Sequence, residues 1–172
     1  TTDHDSDGCR DNREVTFSDS IVCTSNCRIE SITHDSDGNL IVGGIIYGET
    51  EFGEITIGNS STSAFVAKMD ISGNWLWALN VELSSAASGW SSAEHVITDS
   101  NGDIYAVGHY GDDITLGNNI ELTNDGDYDA FVAKISSDGE WLWAAKIGGG
   151  VGAYLNSISF FDDEIIVTGL AN

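Results

Sequence analysis

Apolar positions along this chain come in short runs rich in β-branched and aromatic residues, bounded by Gly, Asn, Asp or Ser. No window carries the spacing of an amphipathic helix, so the pattern predicts strands and turns throughout. The strongest signal is written twice. Residues 64–78 read AFVAKMDISGNWLWA and residues 130–144 read AFVAKISSDGEWLWA, with ten of fifteen positions identical and an offset of 66. In each copy two runs flank a Gly-containing turn (Ser72-Gly73-Asn74, Asp138-Gly139-Glu140), the sequence form of a β-hairpin.

A second kind of hairpin precedes each copy. Residues 30–44 align with residues 94–108 at an offset of 64, with turns at Asp37-Gly38 and Asn101-Gly102, and residues 156–169 form a third, partial copy with a shorter turn. The connector between the two kinds of hairpin varies in length. It keeps a common core, Ile55-Thr-Ile-Gly-Asn59 against Ile114-Thr-Leu-Gly-Asn118. Variable length beside fixed strands places the connector on an exposed face. The expected organisation is an N-terminal segment, 1–28, followed by a repeat region, 29–172, with units at 29–92, 93–155 and, in part, 156–172.

The fold class this predicts is all-β, built from four-stranded antiparallel blades of the β-propeller type. Closed propellers use about four to eight blades. Two full units and a partial one therefore imply an open or incomplete propeller. The chain is expected to be either a fragment of a larger protein or a subunit closed or extended by other subunits. Ile165–Thr168 and Val15–Val22 are the strands expected to be donated across such a junction.

The run D-x-x-G-(N/D)-(I/L)-x-(V/A)-x-G, then A-F-V-A-K, then G-x-W-x-W-A, resembles the SBBP-type β-propeller repeats of secreted and cell-surface bacterial and archaeal proteins. The resemblance covers about residues 29–172. It implies a repeat architecture and no single shared activity. A fainter likeness is to quinoprotein repeats, in which Gly and Trp stand four apart, as Gly73 and Trp77 and Gly139 and Trp143 do here. By that likeness Trp77 and Trp143 pack between blades, with Trp75 and Trp141 on the opposite strand face. No quinone is implied.

Charge changes the picture. Against six Lys and Arg stand 28 Asp and Glu, a formal charge of −22, which makes nucleic acid and anionic membrane surfaces unfavourable partners. Hydrophobic residues at 41% set the chain apart from disordered acidic tails, and no stretch reaches the roughly 18 apolar residues of a membrane helix. Thr1 opens the chain without the basic and apolar regions of a leader. Proline is absent, so turns rely on Gly, Asn, Asp and Ser. Cys9, Cys23 and Cys27 all lie near the N-terminus. They predict a disulfide staple in an oxidising compartment, joining Cys9 to Cys23 or to Cys27.

The sharpest chemistry sits in residues 1–14, TTDHDSDGCRDNRE, which match the calcium-loop pattern D-x-[DN]-x-[DN]-G-x5-E. Calcium takes about six to eight hard oxygen ligands, mixing carboxylates, a backbone carbonyl and water. Asp3, Asp5 and Asp7 would supply carboxylate oxygens, Gly8 the sharp turn, and Cys9 its carbonyl. Asp11 would act directly or through water, and Glu14 would close the shell. Arg10 replaces the usual aliphatic residue and no helix enters the loop. The segment is therefore more similar to the helix-poor calcium repeats of thrombospondin type 3 and dockerin-like sequences. Asp125, Asp127 and Asp129 alternate in the longer connector, as either an exposed acidic loop or a second, weaker calcium site.

Nothing assembles into an enzyme. His4, His34, His95 and His109 are scattered and read as turn or surface residues. No serine lies in G-x-S-x-G, Gly148–Gly152 opens no helix, and the pairs Asp112-Asp113 and Asp162-Asp163 fall at turns where solvated acids are expected. Asn59-Ser60-Ser61 is the only N-glycosylation sequon. The expected protein is a non-enzymatic, extracellular or cell-surface, calcium-binding β-repeat module. Its role would be structural or adhesive, and its partners would be other copies of itself or cell-surface proteins. The alternative is a piece of a larger ligand-binding or enzymatic propeller.

Overall fold

A computed structural model describes residues 21–59, 61–84, 89–117, 119–162 and 164–171. Among these residues the chain is all-β and contains no helix. The first half supplies β1 (Ile21–Cys23), β2 (Asn26–His34), β3 (Leu40–Tyr47), β4 (Thr50–Phe52), β5 (Ile55–Ile57), β6 (Thr62–Met69), β7 (Trp75–Asn80) and β8 (Glu82–Leu83). The second supplies β9 (Ser91–Thr98), β10 (Ile104–Tyr110), β11 (Ile114–Leu116), β12 (Ile120–Leu122), β13 (Asp129–Ile135), β14 (Trp141–Ile147), β15 (Ala153–Phe161) and β16 (Glu164–Ala171). Two four-stranded antiparallel sheets, β2-β3-β6-β7 and β9-β10-β13-β14, repeat one meander, and β15-β16 begins it again.

The hairpins form where the turn chemistry places them. Asp35 Oδ1 accepts the backbone N–H groups of Asp37 (3.0 Å) and Asn39 (2.9 Å). Asp70 does the same for Ser72 and Asn74, and Asp99 for Asn101 and Asp103. Such side-chain to backbone bonds make a turn without proline. In each of these turns the glycine takes a positive φ between 81° and 87°, a conformation that only Gly adopts without strain.

A bulge recurs on the first strand of every unit. The pairing register skips Glu30 opposite Gly43 and Gly44, Glu94 opposite Val107 and Gly108, and Asn156 opposite Thr168 and Gly169. The facing glycine is a steric necessity. A Cβ would lie 2.0 Å from the Arg28 carbonyl at Gly44, 1.9 Å from that of Ser92 at Gly108, and 2.0 Å from that of Tyr154 at Gly169.

Two expectations need correction. The connectors are hairpins, β4-β5 and β11-β12, each extended by a further strand, β1 or β8. The matched connector segments are not equivalent: Ile55–Ile57 is the second strand of its hairpin, whereas Ile114–Leu116 is the first of the other. Burial sets this alignment, since Phe52 and Leu116, both fully buried, occupy the same place before the turn. The disulfide joins Cys23 to Cys27 and not Cys9 to either. The chain bends at Thr24 and Ser25 between β1 and β2, and the two Cα atoms stand 6.0 Å apart, a separation that a disulfide spans. Cys9 lies outside the described residues, as does most of the strand expected over Val15–Val22, of which β1 is the end.

Three apolar cores hold the sheets together. Val42, Phe65 and Ala67 pack with Phe52 on one face of the first sheet. Ile41, Ala64 and Val66, on its other face, meet Ile104, Ala106, Phe131 and Ile135 of the second sheet. Val107, Ala130 and Val132 meet Ala153, Leu155 and Ile158 of the third. The first strands β2, β9 and β15 lie side by side along this series.

Candidate assembly face and neighbouring polar clusters

The junction of the first and second sheets defines what one unit takes from the next. Lys68 on β6 faces Trp77 on β7. Lys68 Nζ pairs with Asp35 Oδ2 (2.9 Å), with the two side chains only 7% and 4% exposed, and donates to the Ser137 carbonyl of the second sheet (3.1 Å). Trp77 Nε1 donates to the same carbonyl (3.2 Å). The Trp77 ring lies against Gly139, where a Cβ would come within 2.7 Å of Cγ. Burial alone would raise the Asp35 carboxyl, but hydrogen bonds from Asn39 and Lys68 outweigh it and hold the pKa down to about 2.

Trp75 and Trp77 stand two apart, which on a regular strand puts both on one face. A bulge at Leu76 separates them: Trp77 pairs with Lys68, but Trp75 pairs with Met69. Trp75 therefore joins the core around Phe52, at 4.9 Å between ring centres, while Trp77 turns to the second sheet. The same skip at Leu142 separates Trp141 from Trp143. The expected opposite-face arrangement of the tryptophans is thus present, and the inter-sheet role holds for Trp77.

Trp143 has different surroundings. It remains 38% exposed and touches Tyr105 edge-on at 6.1 Å. Lys134 pairs with Asp99 (3.3 Å) and Asp103 (2.9 Å) and lies 4.9 Å over the Tyr105 ring. Hydrogen bonding to Tyr105 and Asp103 raises its pKa. Phe160 packs edge-on against the other side of Tyr105 at 5.3 Å. Beyond it Phe161, Ile166 and Leu170 are exposed. The run Ile165-Ile166-Val167 is that of a strand covered on both faces, and its counterparts β3 and β10 are largely buried. Among the described residues no strand pairs with the outer edge of β16.

The other candidates resolve as follows. Asp3, Asp5, Asp7, Cys9, Asp11, Glu14 and His4 lie outside the described residues, within which no group of three or more metal-ligating side chains occurs. In the second acidic loop Lys146 pairs with Asp125 and stands 3.8 Å from the fully buried Asp129. Asp129 Oδ2 in turn accepts the Asp125 N–H (2.8 Å). His34 is the exposed last residue of β2, and its Nδ1 lies 3.0 Å from the Asp35 carbonyl oxygen. His95 is no surface residue: its Nδ1 accepts the Ile158 N–H (3.2 Å) and lies 3.0 Å from the Ser157 hydroxyl, tying the second sheet to the third. His109 is also partly buried, edge-on to Trp90 at 5.0 Å and 3.7 Å from Glu94. Burial lowers its pKa against the opposing pull of Glu94 and Glu30. Asp113 caps the Asn124 N–H, and Asn59 bonds to Ser61 within its own turn.

The Lys–Asp pair was not foreseen from the sequence. Its signal was present, because Asp35 with Lys68 and Asp99 with Lys134 recur in corresponding places. The chain matches no known family model and no curated protein. The Cys23–Cys27 disulfide fits an oxidising compartment, and no helix among the described residues is long and apolar enough to cross a membrane.

Proposed function

We propose that this chain is an extracellular, calcium-binding structural or adhesive module whose sheets are blades of the β-propeller type. It self-assembles through its open third sheet and acts without catalysis. The observations that carry this reading are the contrast between Trp77, docked on a neighbouring sheet, and Trp143, 38% exposed, and the outer edge of β16, with which no described strand pairs. Long, apolar, unpaired strand edges are what proteins otherwise cover or blunt, and this one carries no charged side chain from Ile165 to Ala171. Calcium is assigned to Asp3, Asp5, Asp7, Asp11 and Glu14, with the Cys9 carbonyl, because these residues match the required oxygen donors at the required spacing.

The test is the mass of the purified chain across a dilution series. Species heavier than the 18.3 kDa monomer that dissociate on dilution are expected. A monomer at every concentration removes the assembly role. The second reading, a portion of a larger closed ring, is favoured by the side-by-side first strands β2, β9 and β15, the arrangement of strands around a propeller axis.

A further inference from the structure

We propose that the outer edge of β16 binds an extended, antiparallel strand of the Ala-Phe-Val-Ala-Lys kind, its phenylalanine seated over Gly169. This deepens the assembly reading, on which it rests, by naming what the open edge recognises.

The argument is register. In the first sheet Gly44 on β3 stands directly opposite Phe65 on β6, and in the second Gly108 on β10 stands opposite Phe131 on β13. In the second sheet the ring occupies the space that the glycine leaves, since a Cβ on Gly108 would lie 2.8 Å from Phe131 Cε1. The glycine thus serves two neighbours, the bulge on one side and a phenylalanine on the other. β16 holds the third such glycine, with the same bulge at Asn156 on its β15 side. Among the described residues, its other side lacks the paired strand that both counterparts have.

Carrying the register across fixes the remaining contacts. Val42 faces Ala67 and Ile41 faces Lys68, so an incoming strand would set an alanine opposite Val167 and its lysine opposite Ile166. In both complete sheets that lysine ends on turn carboxylates, Asp35 in one and Asp99 with Asp103 in the other. The third turn offers Asp162 and Glu164 to the same charge. Main-chain bonds would supply affinity and the alternating side chains would supply selection, as in strand addition generally.

The experiment uses the full 172-residue chain and a fluorescent peptide carrying the sequence of residues 62–70. At a dilution where the chain is monomeric, saturable binding is expected. Replacing the peptide phenylalanine by alanine should weaken it about tenfold or more, the loss of one buried aromatic contact. Ile166→Asp, at an exposed position, should abolish binding without unfolding the chain. A photoreactive benzoyl group on the peptide phenylalanine should crosslink to residues 168–170. No binding at millimolar peptide, phenylalanine-independent binding, or crosslinks elsewhere overturns the proposal. If the chain self-associates at every dilution, saturating peptide should dissociate it. Oligomers indifferent to peptide would sink the strand assignment and leave assembly standing. A monomer that binds the peptide would do the reverse.

Discussion

Lys68 and Asp35 form a pair almost without water, so each makes the other tolerable. Removing one partner strands a buried charge, a loss of about 3 kcal/mol or more. Lys68→Met is therefore expected to lower stability by that amount in urea unfolding. Lys134→Met, with its side chain 18% exposed, should cost clearly less. Equal losses would show the burial difference to be irrelevant. The Asp35 carboxyl, ordinarily near 3.8, is held down to about 2 in the folded chain. Its contribution is accordingly complete above pH 4 and lost as the pH falls from about 4 through 2. Lys68→Met should flatten the stability curve in that window and leave it unchanged near pH 7 in shape.

At the scale of the element, the two tryptophan strands are the natural comparison. Trp77 fills the junction between sheets, and Trp77→Ala should cost about 3 kcal/mol, the lower end for a large buried aromatic. Trp143→Ala removes a side chain with one aromatic neighbour and should cost under about 1 kcal/mol in the monomer. Urea midpoints measured on dilute protein decide this, and equal shifts would refute the docking role assigned to Trp77. The hairpins themselves were legible, because Asp, Asn and Gly at fixed offsets dictate turn geometry locally. The connector alignment misled, because apolar-Thr-apolar-Gly suits either strand of a short hairpin and only burial of Phe52 and Leu116 decides between them. The bulges at Glu30, Glu94, Leu76 and Leu142 were hidden, since an extra residue in one strand is visible only against its partner. The disulfide was misassigned for the same kind of reason: the bend at Thr24 and Ser25, not cysteine spacing, brings Cys27 to Cys23.

For the whole molecule, 28 acidic side chains on a chain of 172 residues set up strong self-repulsion that a divalent cation would relieve. Chelation with EDTA is expected to lower the melting temperature, by on the order of 5 °C if calcium stands well above its dissociation constant. Added calcium should restore it. The double substitution Asp5→Ala, Asp7→Ala should abolish the response and leave the strand signal of residues 29–172 in place. Calorimetry that finds no calcium binding tighter than millimolar would end the assignment. The proposed calcium ligands rest on the sequence alone, because a calcium loop is a local code of oxygen donors and these residues lie outside the described ones. The two-stranded third sheet was readable only as an arithmetic excess of hairpins, and its position beside the second sheet needed the neighbouring strands.

The first and third sheets do not end the series alike. On the first, the outward residues Val42, Ile46, Phe65, Ala67 and Met69 are all buried, part of them under Phe52 of the small β1-β4-β5 sheet. On the third, no described strand covers the outer edge of β16. A particle with one sticky end has a valency of one. Two copies whose β16 edges met each other would saturate as a pair of twice 18.3 kDa, an outcome distinct from the seating of an Ala-Phe-Val-Ala-Lys strand on that edge. Growth of such pairs into a fibre would further require the small sheet to lift from the first, and under that reading the β1-β4-β5 cover would act as a chain terminator.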